Sequence, residues 1–180
     1  MQLSQGVEWA LHTCLNLTWV DDGEAKTTAQ VAAFYDLPRA YLNKQLQALV
    51  HAGILTSVSG PRGGFRLARA PEEVSLLDIV VAIEGRTQAF ACANLLADGP
   101  GGDPSIDYSL TCILSQAMSR ADLAWRRELA SRTLADIRRE VERTYPGTPD
   151  ATRDWFANGR RAHSPTTTTE QHETESRAGS

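Results

Sequence analysis

Apolar residues recur at helical spacing from the start of the chain. Leu3, Val7, Leu11 and Leu15, with Ala10, Cys14 and Thr18 beside them, share one face and predict a first helix. Thr27 or Thr28 supplies an N-cap for a second helix, TAQVAAFY, which turns Val31 and Phe34 to one side. After the short connection Asp36-Leu37, Pro38 suits a first helical turn and predicts that a third helix starts there. That helix carries Leu42, Leu46, Leu49 and Val50 and ends near Gly53, which suits a left-handed C-terminal cap. The pattern then changes. Ile54 to Val58 and Phe65 to Leu67 have strand composition and flank Gly60-Pro61-Arg62-Gly63-Gly64, a β-hairpin with a glycine-rich tip.

Two short helices tightly joined, the second longer, amphipathic and net basic, match a helix-turn-helix, and the hairpin adds a wing. The fold class is therefore mainly α with a small β-hairpin wing: a winged helix-turn-helix occupying residues 1–86. Residues 87–111 form a cysteine-bearing connection in which Gly and Pro crowd together near Ala97 to Ser105. A helical block follows over residues 112–145. Residues 146–180 read as a largely disordered tail, because SPTTTTEQHETESRAGS cannot bury enough apolar surface to offset its ordering entropy. Within that tail, Trp155 and Phe156 offer a docking point for a short appendage.

Composition bounds the class. A mean hydropathy of −0.31 and the lack of any apolar run near ~18 residues argue against a membrane span. The opening MQLSQGVEWALH lacks the basic-then-apolar layout of a signal peptide. Three scattered cysteines, Cys14, Cys92 and Cys112, do not make a disulfide scaffold, so the chain reads as cytoplasmic.

A net charge of −4 and a pI near 5.6 would speak against a nucleic-acid partner if the charges were spread evenly. They are segregated. Residues 37–71 hold no acid and carry Arg39, Lys44, Arg62, Arg66 and Arg69, a charge of +5, so the remainder carries −9. Arg39, Tyr41, Lys44, Gln45 and Gln47 lie among the non-core positions of the third helix. Arg, Lys and Gln are residue types that pair with base edges and phosphates. Arg62 stands at the wing tip, where it would read the minor groove or backbone. The GPRGG tip has no P-loop Lys-Ser/Thr pair and opens no helix, so it is not a nucleotide loop. Double-stranded promoter DNA is the partner these features point to.

The strings MQLSQGVEWAL, PRAYLNKQLQALVHAGILTSVSGPRGGFRLAR, VSLLDIVVAIEG and SLTCILSQAMSRADLAWRRELASRTLADI resemble the winged-helix transcription regulators typified by IscR, NsrR and RsrR. The resemblance covers most of residues 1 to 137. It implies a homodimer paired through a long C-terminal dimerisation helix within 112–145, on which Ile113, Met118, Ala121, Trp125 and Leu129 are apolar. It also implies a cluster-binding loop at 87–111, since many members hold an iron–sulfur cluster that controls DNA binding. Members of the IscR and NsrR type usually carry three closely spaced loop cysteines; here there are two, Cys92 and Cys112. A wing arginine common before the Gly-Pro is Ser59 here.

Glu8 and His12 are spaced i, i+4 and share a helix face, whereas Cys14 lies about 240° around from Glu8 and reads as a core thiol. A [2Fe–2S] centre takes four ligands, and histidine can replace cysteine. The resemblance is nearest to the redox-responsive RsrR branch, which has Glu-Trp-x-x-His on its first helix and two loop cysteines. Carried over, it implies a [2Fe–2S] cluster held by Glu8 and His12 of one chain and by Cys92 and Cys112 of the partner subunit. Fewer thiolates should raise the reduction potential relative to an all-cysteine cluster. Trp9, about 100° from Glu8, would relay cluster charge to the helix-turn-helix. The leading expectation is a DNA-binding regulator, acting as a repressor, switched by cluster redox state. A cluster-free regulator of the same fold, sensing by thiol oxidation or a small molecule, is the alternative. An enzyme using Glu8, His12 and a cysteine for metal-assisted hydrolysis lacks any further feature that builds a substrate pocket.

Overall fold

The computed structural model describes residues 3–20, 24–60, 63–86, 88 and 90–159. Helix α1 (Gln5–Leu17) buries Val7, Ala10, Cys14 and Leu15 of the expected stripe and adds Leu17, whereas Leu3 is exposed and Leu11 and Thr18 are half-buried. Its start is fixed by the Ser4 N–H, which donates to Glu84 Oε1 at 2.9 Å. Helix α2 (Thr28–Tyr35) opens on a capping box between Thr27 and Gln30, which resolves the cap to Thr27. Asp36 then adopts a left-handed conformation (φ 55°, ψ 47°), so the chain turns sharply into α3 (Arg39–His51). Pro38 is the extended residue before α3 rather than its first turn. Leu42, Leu46 and Leu49 are fully buried, and Gly53 is left-handed (φ 68°) just past the helix end.

Strands β1 (Leu55–Val58) and β2 (Gly64–Leu67) pair antiparallel, with Leu55 opposite Leu67 and Val58 opposite Gly64. Lys26 extends this ladder, exchanging both backbone bonds with Phe65 at 2.9 Å. Gly64 sits at φ 151°, and a Cβ there would lie 2.4 Å from the Lys26 backbone; only glycine permits this approach. Helix α4 (Leu76–Glu84) follows a Ser75/Asp78 capping box and packs against α1 and α3.

The 112–145 block is two helices with different partners. Helix α5 (Ile113–Ser131) ends where Arg132 becomes extended, and α6 (Leu134–Thr144) begins at a Thr133/Asp136 capping box. The break arises because this backbone pairs with the segment before α4: Leu76 N–H donates to Arg132 O, and Leu134 N–H to Val74 O, both at 2.9 Å. Leu134 and Ala135 are buried in the winged-helix core, so α6 is a piece of that domain, while α5 buries only Ser115.

The first part of the tail is ordered, around the docking point that Trp155 and Phe156 offered. Residues Thr148–Asn158 form helix α7, with Thr152 and Phe156 buried. Phe156 stacks on Phe34 of α2 with centroids 5.3 Å apart, and Trp155 meets the same ring edge-on at 4.9 Å. The half-buried Phe34 supplies the apolar surface on which α7 docks. The tail from residue 160 onward lies outside the described residues. Among the described residues no helix is long and apolar enough to cross a membrane.

Candidate functional site

One surface is built on α3. Arg39, Tyr41, Lys44 and Gln47 are all exposed along it. Gln45 is not: it is 6% exposed, and its carboxamide lies 2.9–3.1 Å from where a Cβ on Gly6 would sit. It fills the space a side chain at position 6 would take, joining α3 to α1, and so leaves the set of base-reading candidates. Its helical phase with Leu42, Leu46 and Leu49 was the signal sequence reasoning passed over. Asn43, not singled out from the sequence, is exposed, with its Oδ1 3.2 Å from the Thr28 hydroxyl across the turn. On the wing, Arg62 lies outside the described residues. Arg66 of β2 is exposed, whereas Arg69 donates to Glu73 O at 3.3 Å.

The second surface is the outer face of α1. Glu8 and His12 are both exposed, one turn apart, and share an open depression of about 420 Å3 with Leu3, Ser4 and Leu11. The His12 ring meets Tyr35 of α2 edge-on at 5.7 Å. The Tyr35 hydroxyl accepts a bond from Asn16 Nδ2 at 2.9 Å; burial pushes its pKa up, and the Asn16 bond opposes that. Trp9 is half-buried and packs edge-on against Tyr41 of α3 at 5.2 Å. Cys14, by contrast, is sealed in the core, and burial pushes its thiol up to about 12.

Cys92 and Cys112 are half-buried free thiols on the two limbs of the connecting loop. Asn94 ties the limbs together. Its Oδ1 accepts from Tyr108 N–H at 2.8 Å and its Nδ2 donates to Ile106 O at 3.0 Å, two residues past Cys92 and a few before Cys112. Asn94 itself is left-handed (φ 55°), a conformation asparagine tolerates better than most residues. No sequence signal had marked it. Cys112 then caps α5, its N–H donating to Tyr108 O at 2.7 Å. Among the described residues no three His, Cys, Asp or Glu side chains converge to hold a metal ion. One chain thus pairs Glu8 with His12 and ties the two cysteine limbs to each other, but does not unite the four donors.

Helix α5 shows a third surface. Ile113 (78%), Leu114 (73%), Met118 (44%) and Leu123 (51%) are exposed, and Ala121 lies beside them.

The family described as Rrf2, iron-dependent transcriptional regulator, matches residues 3–140. The HTH-type transcriptional regulator YffB of Lactococcus lactis is 28% identical over 145 residues, 81% of this chain and 92% of that protein. Among solved structures, T. potens IscR superposes with a TM-score of 0.61 at 22% identity, covering 81% of this chain and 91% of its own. CymR, the global cysteine regulator of B. subtilis, gives 0.58 at 18% identity over 78% of this chain and 98% of its own.

Proposed function

The chain belongs to the Rrf2 family of transcriptional regulators, a DNA-binding family, and from that premise we propose that it is a homodimeric repressor switched by the redox state of a [2Fe–2S] cluster. The observation that carries this reading is the split donor set. Glu8 and His12 are presented together on α1, Cys92 and Cys112 sit on limbs tied by Asn94, and neither pair completes a site alone. One carboxylate and one imidazole from one chain, with Cys92 and Cys112 of the partner subunit, make four ligands: thiolate and imidazole hold such clusters, and a carboxylate is an ordinary ligand of iron. The donor chemistry fits the group. The Glu-Trp-x-x-His sequence of α1 resembles that of the RsrR branch.

The cluster would supply a one-electron change of charge. The chain's own residues determine what feels it. Glu8 and His12 flank Trp9, which rests on Tyr41 of α3, while the His12 ring rests on Tyr35 of α2. A reorientation of either α1 side chain therefore presses on one of the two helices of the helix-turn-helix. In this reading 1–86 with α6 is the DNA-binding domain, 87–111 the cluster loop and α5 the dimerisation helix. Two such modules would meet half-sites about one DNA turn, ~34 Å, apart. Arg39, Tyr41, Lys44 and Gln47 would contact DNA, with Arg62 at the wing.

Purification without oxygen, followed by iron analysis and visible absorption, tests the proposal. Coloured, iron-bearing protein is expected, with the spectrum lost or altered in Cys92→Ala and in His12→Ala. A colourless, iron-free protein that still binds its promoter tightly would defeat it. In that case the two half-buried free thiols favour the second reading, a cluster-free thiol switch, in line with a cysteine regulator among its structural neighbours. Trp9→Ala should bind DNA with equal affinity in the oxidised and reduced states; retention of the redox dependence would remove Trp9 from the relay.

A further inference from the structure

Three arginines converge where the wing meets α6. Arg66 of β2, Arg69 just beyond it and Arg138 of α6 line one cleft of about 340 Å3, walled by Leu17 and Leu67. Among the described residues the carboxylate lining the same cleft is Glu24, and its Oε2 lies 2.5 Å from the Lys26 ammonium. Arg69 donates to Glu73 O at 3.3 Å and lies 4.0 Å from Asp78. Arg138 Nε is 3.8 Å from Glu142 Oε1, an oxygen that already accepts the Trp19 indole N–H at 2.8 Å. The Nε atoms of Arg69 and Arg138 are both shielded from solvent and have no hydrogen-bond acceptor.

A guanidinium cannot discharge by losing its proton, so an Nε–H shut away from water needs an acceptor. The carboxylates facing Arg69 and Arg138 stand at 4.0 and 3.8 Å, beyond hydrogen-bond range, so the two Nε–H groups keep that demand. We infer that this cleft binds a phosphate-class oxyanion, whose several acceptor oxygens and negative charge answer both. Guanidinium forks match phosphate geometry better than a point charge would. The phosphate has two possible sources. One is the DNA backbone, because Arg66 belongs to a wing strand; the other is a free phosphate acting as an effector at the joint between wing and α6. The inference does not depend on any cluster, and only its DNA arm uses the family's DNA binding.

The full-length protein decides between these sources. Inorganic phosphate is titrated by calorimetry and by thermal shift against sodium chloride at matched ionic strength, for wild type, Arg138→Gln and Arg66→Gln. Mixed-sequence duplex DNA is titrated over a salt series with the same proteins. A free-phosphate site gives wild-type protein a rise in Tm beyond the chloride control that is lost in both variants. A backbone-phosphate site lowers the salt slope of log K by about 0.9 per arginine removed. Circular dichroism identifies folded variants, and Arg66→Gln, on an exposed strand position, provides the reading if Arg138→Gln unfolds. Folded variants with the wild-type phosphate response and the wild-type DNA salt slope would overturn the inference.

Discussion

Replacing Leu114 by Glu probes the proposed dimer at its most economical point. Burying a whole Leu, Ile or Met side chain stabilises by about 1.5–3 kcal/mol. The exposed fractions of Ile113, Leu114, Met118 and Leu123 therefore leave roughly 4–7 kcal/mol of apolar burial ungained by each chain. A two-fold interface uses the same patch twice, which doubles that figure and sets it against the association cost of about 4–15 kcal/mol. Leu114 is 73% exposed, so its share is about 1–2 kcal/mol per chain and about 2–4 kcal/mol per dimer. At about 1.4 kcal/mol per tenfold, Leu114→Glu should weaken dimerisation between about 30-fold and about 1000-fold, before any penalty for burying the carboxylate. Sedimentation equilibrium reads the constant directly, and far-ultraviolet circular dichroism confirms that the fold survives, because Leu114 touches little within its own chain. A dimer constant within threefold of wild type would show that the exposed face of α5 is not the interface.

Three other outcomes follow from packing and charge. Phe156→Ala removes the buried anchor of α7 and should cost about 3 kcal/mol, the low end for Phe to Ala because α7 lies at an edge. A Tm drop of ~6–12 °C is expected, and a change below ~2 °C would mean that α7 does not dock. Arg39→Ala and Lys44→Ala should each lower the salt slope of DNA binding by about 0.9, whereas Gln45→Ala should leave the slope unchanged and lower thermal stability instead. Alkylation of the folded, cluster-free protein at pH 8 should label Cys92 and Cys112 but spare Cys14, whose thiol is pushed up to about 12 and fully buried. The neutral thiol is favoured in the fold, so the stability it contributes is present below an unfolded value of about 8.5 and is lost as pH climbs toward the folded one. Mass spectrometry showing Cys14 labelled as fast as Cys112 would contradict this.

The winged helix was legible because its signals are local. Helical phase in α1 and α3, the Thr27 cap, Gly53 and the strand composition on either side of the hairpin tip each act over a few residues, and the structure forms those elements where the pattern puts them. What sequence missed depends on distant partners. The 132–133 break is dictated by backbone bonds to Val74 and Leu76, some sixty residues away, and no propensity at Arg132 announces it. Helix α7 was legible only as the docking point at Trp155 and Phe156; its helical form and its partner were not, because it is short and is held by Phe34, more than a hundred residues upstream. Gln45 is polar and yet buried because Gly6 on another helix leaves room for it. The pairing of Glu8 with His12 was readable from i, i+4 spacing. The Asn94 staple between the cysteine limbs was not, because its partners lie twelve and fourteen residues on.

Helix α1 touches the helix-turn-helix at three levels, and the contacts differ in kind. Near its start Gly6 holds the buried Gln45 carboxamide, a close-packed contact that transmits displacement because nothing between them can yield cheaply. One turn on, Trp9 and Tyr41 meet edge-on with Tyr41 exposed, so this contact can be rearranged at small cost. The next turn sets His12 against Tyr35, whose hydroxyl is already held by Asn16 from α1 itself. A signal arriving at Glu8 and His12 thus finds α2 tethered through Tyr35 and α3 tethered through Gln45. The pliable contact is Trp9 on Tyr41, and Tyr41 stands on the face proposed to meet DNA. That combination makes a side-chain rearrangement at Trp9, with α1 and α3 otherwise in place, the least costly route from the proposed cluster to the recognition helix. It also predicts that Tyr41→Phe, which keeps the ring and loses the hydroxyl, preserves redox dependence, while Tyr41→Ala abolishes it even if the protein still binds DNA. DNA titrations of oxidised and reduced protein separate the two, and a redox effect of wild-type size in Tyr41→Ala would exclude the Trp9–Tyr41 route and leave the α2 tether.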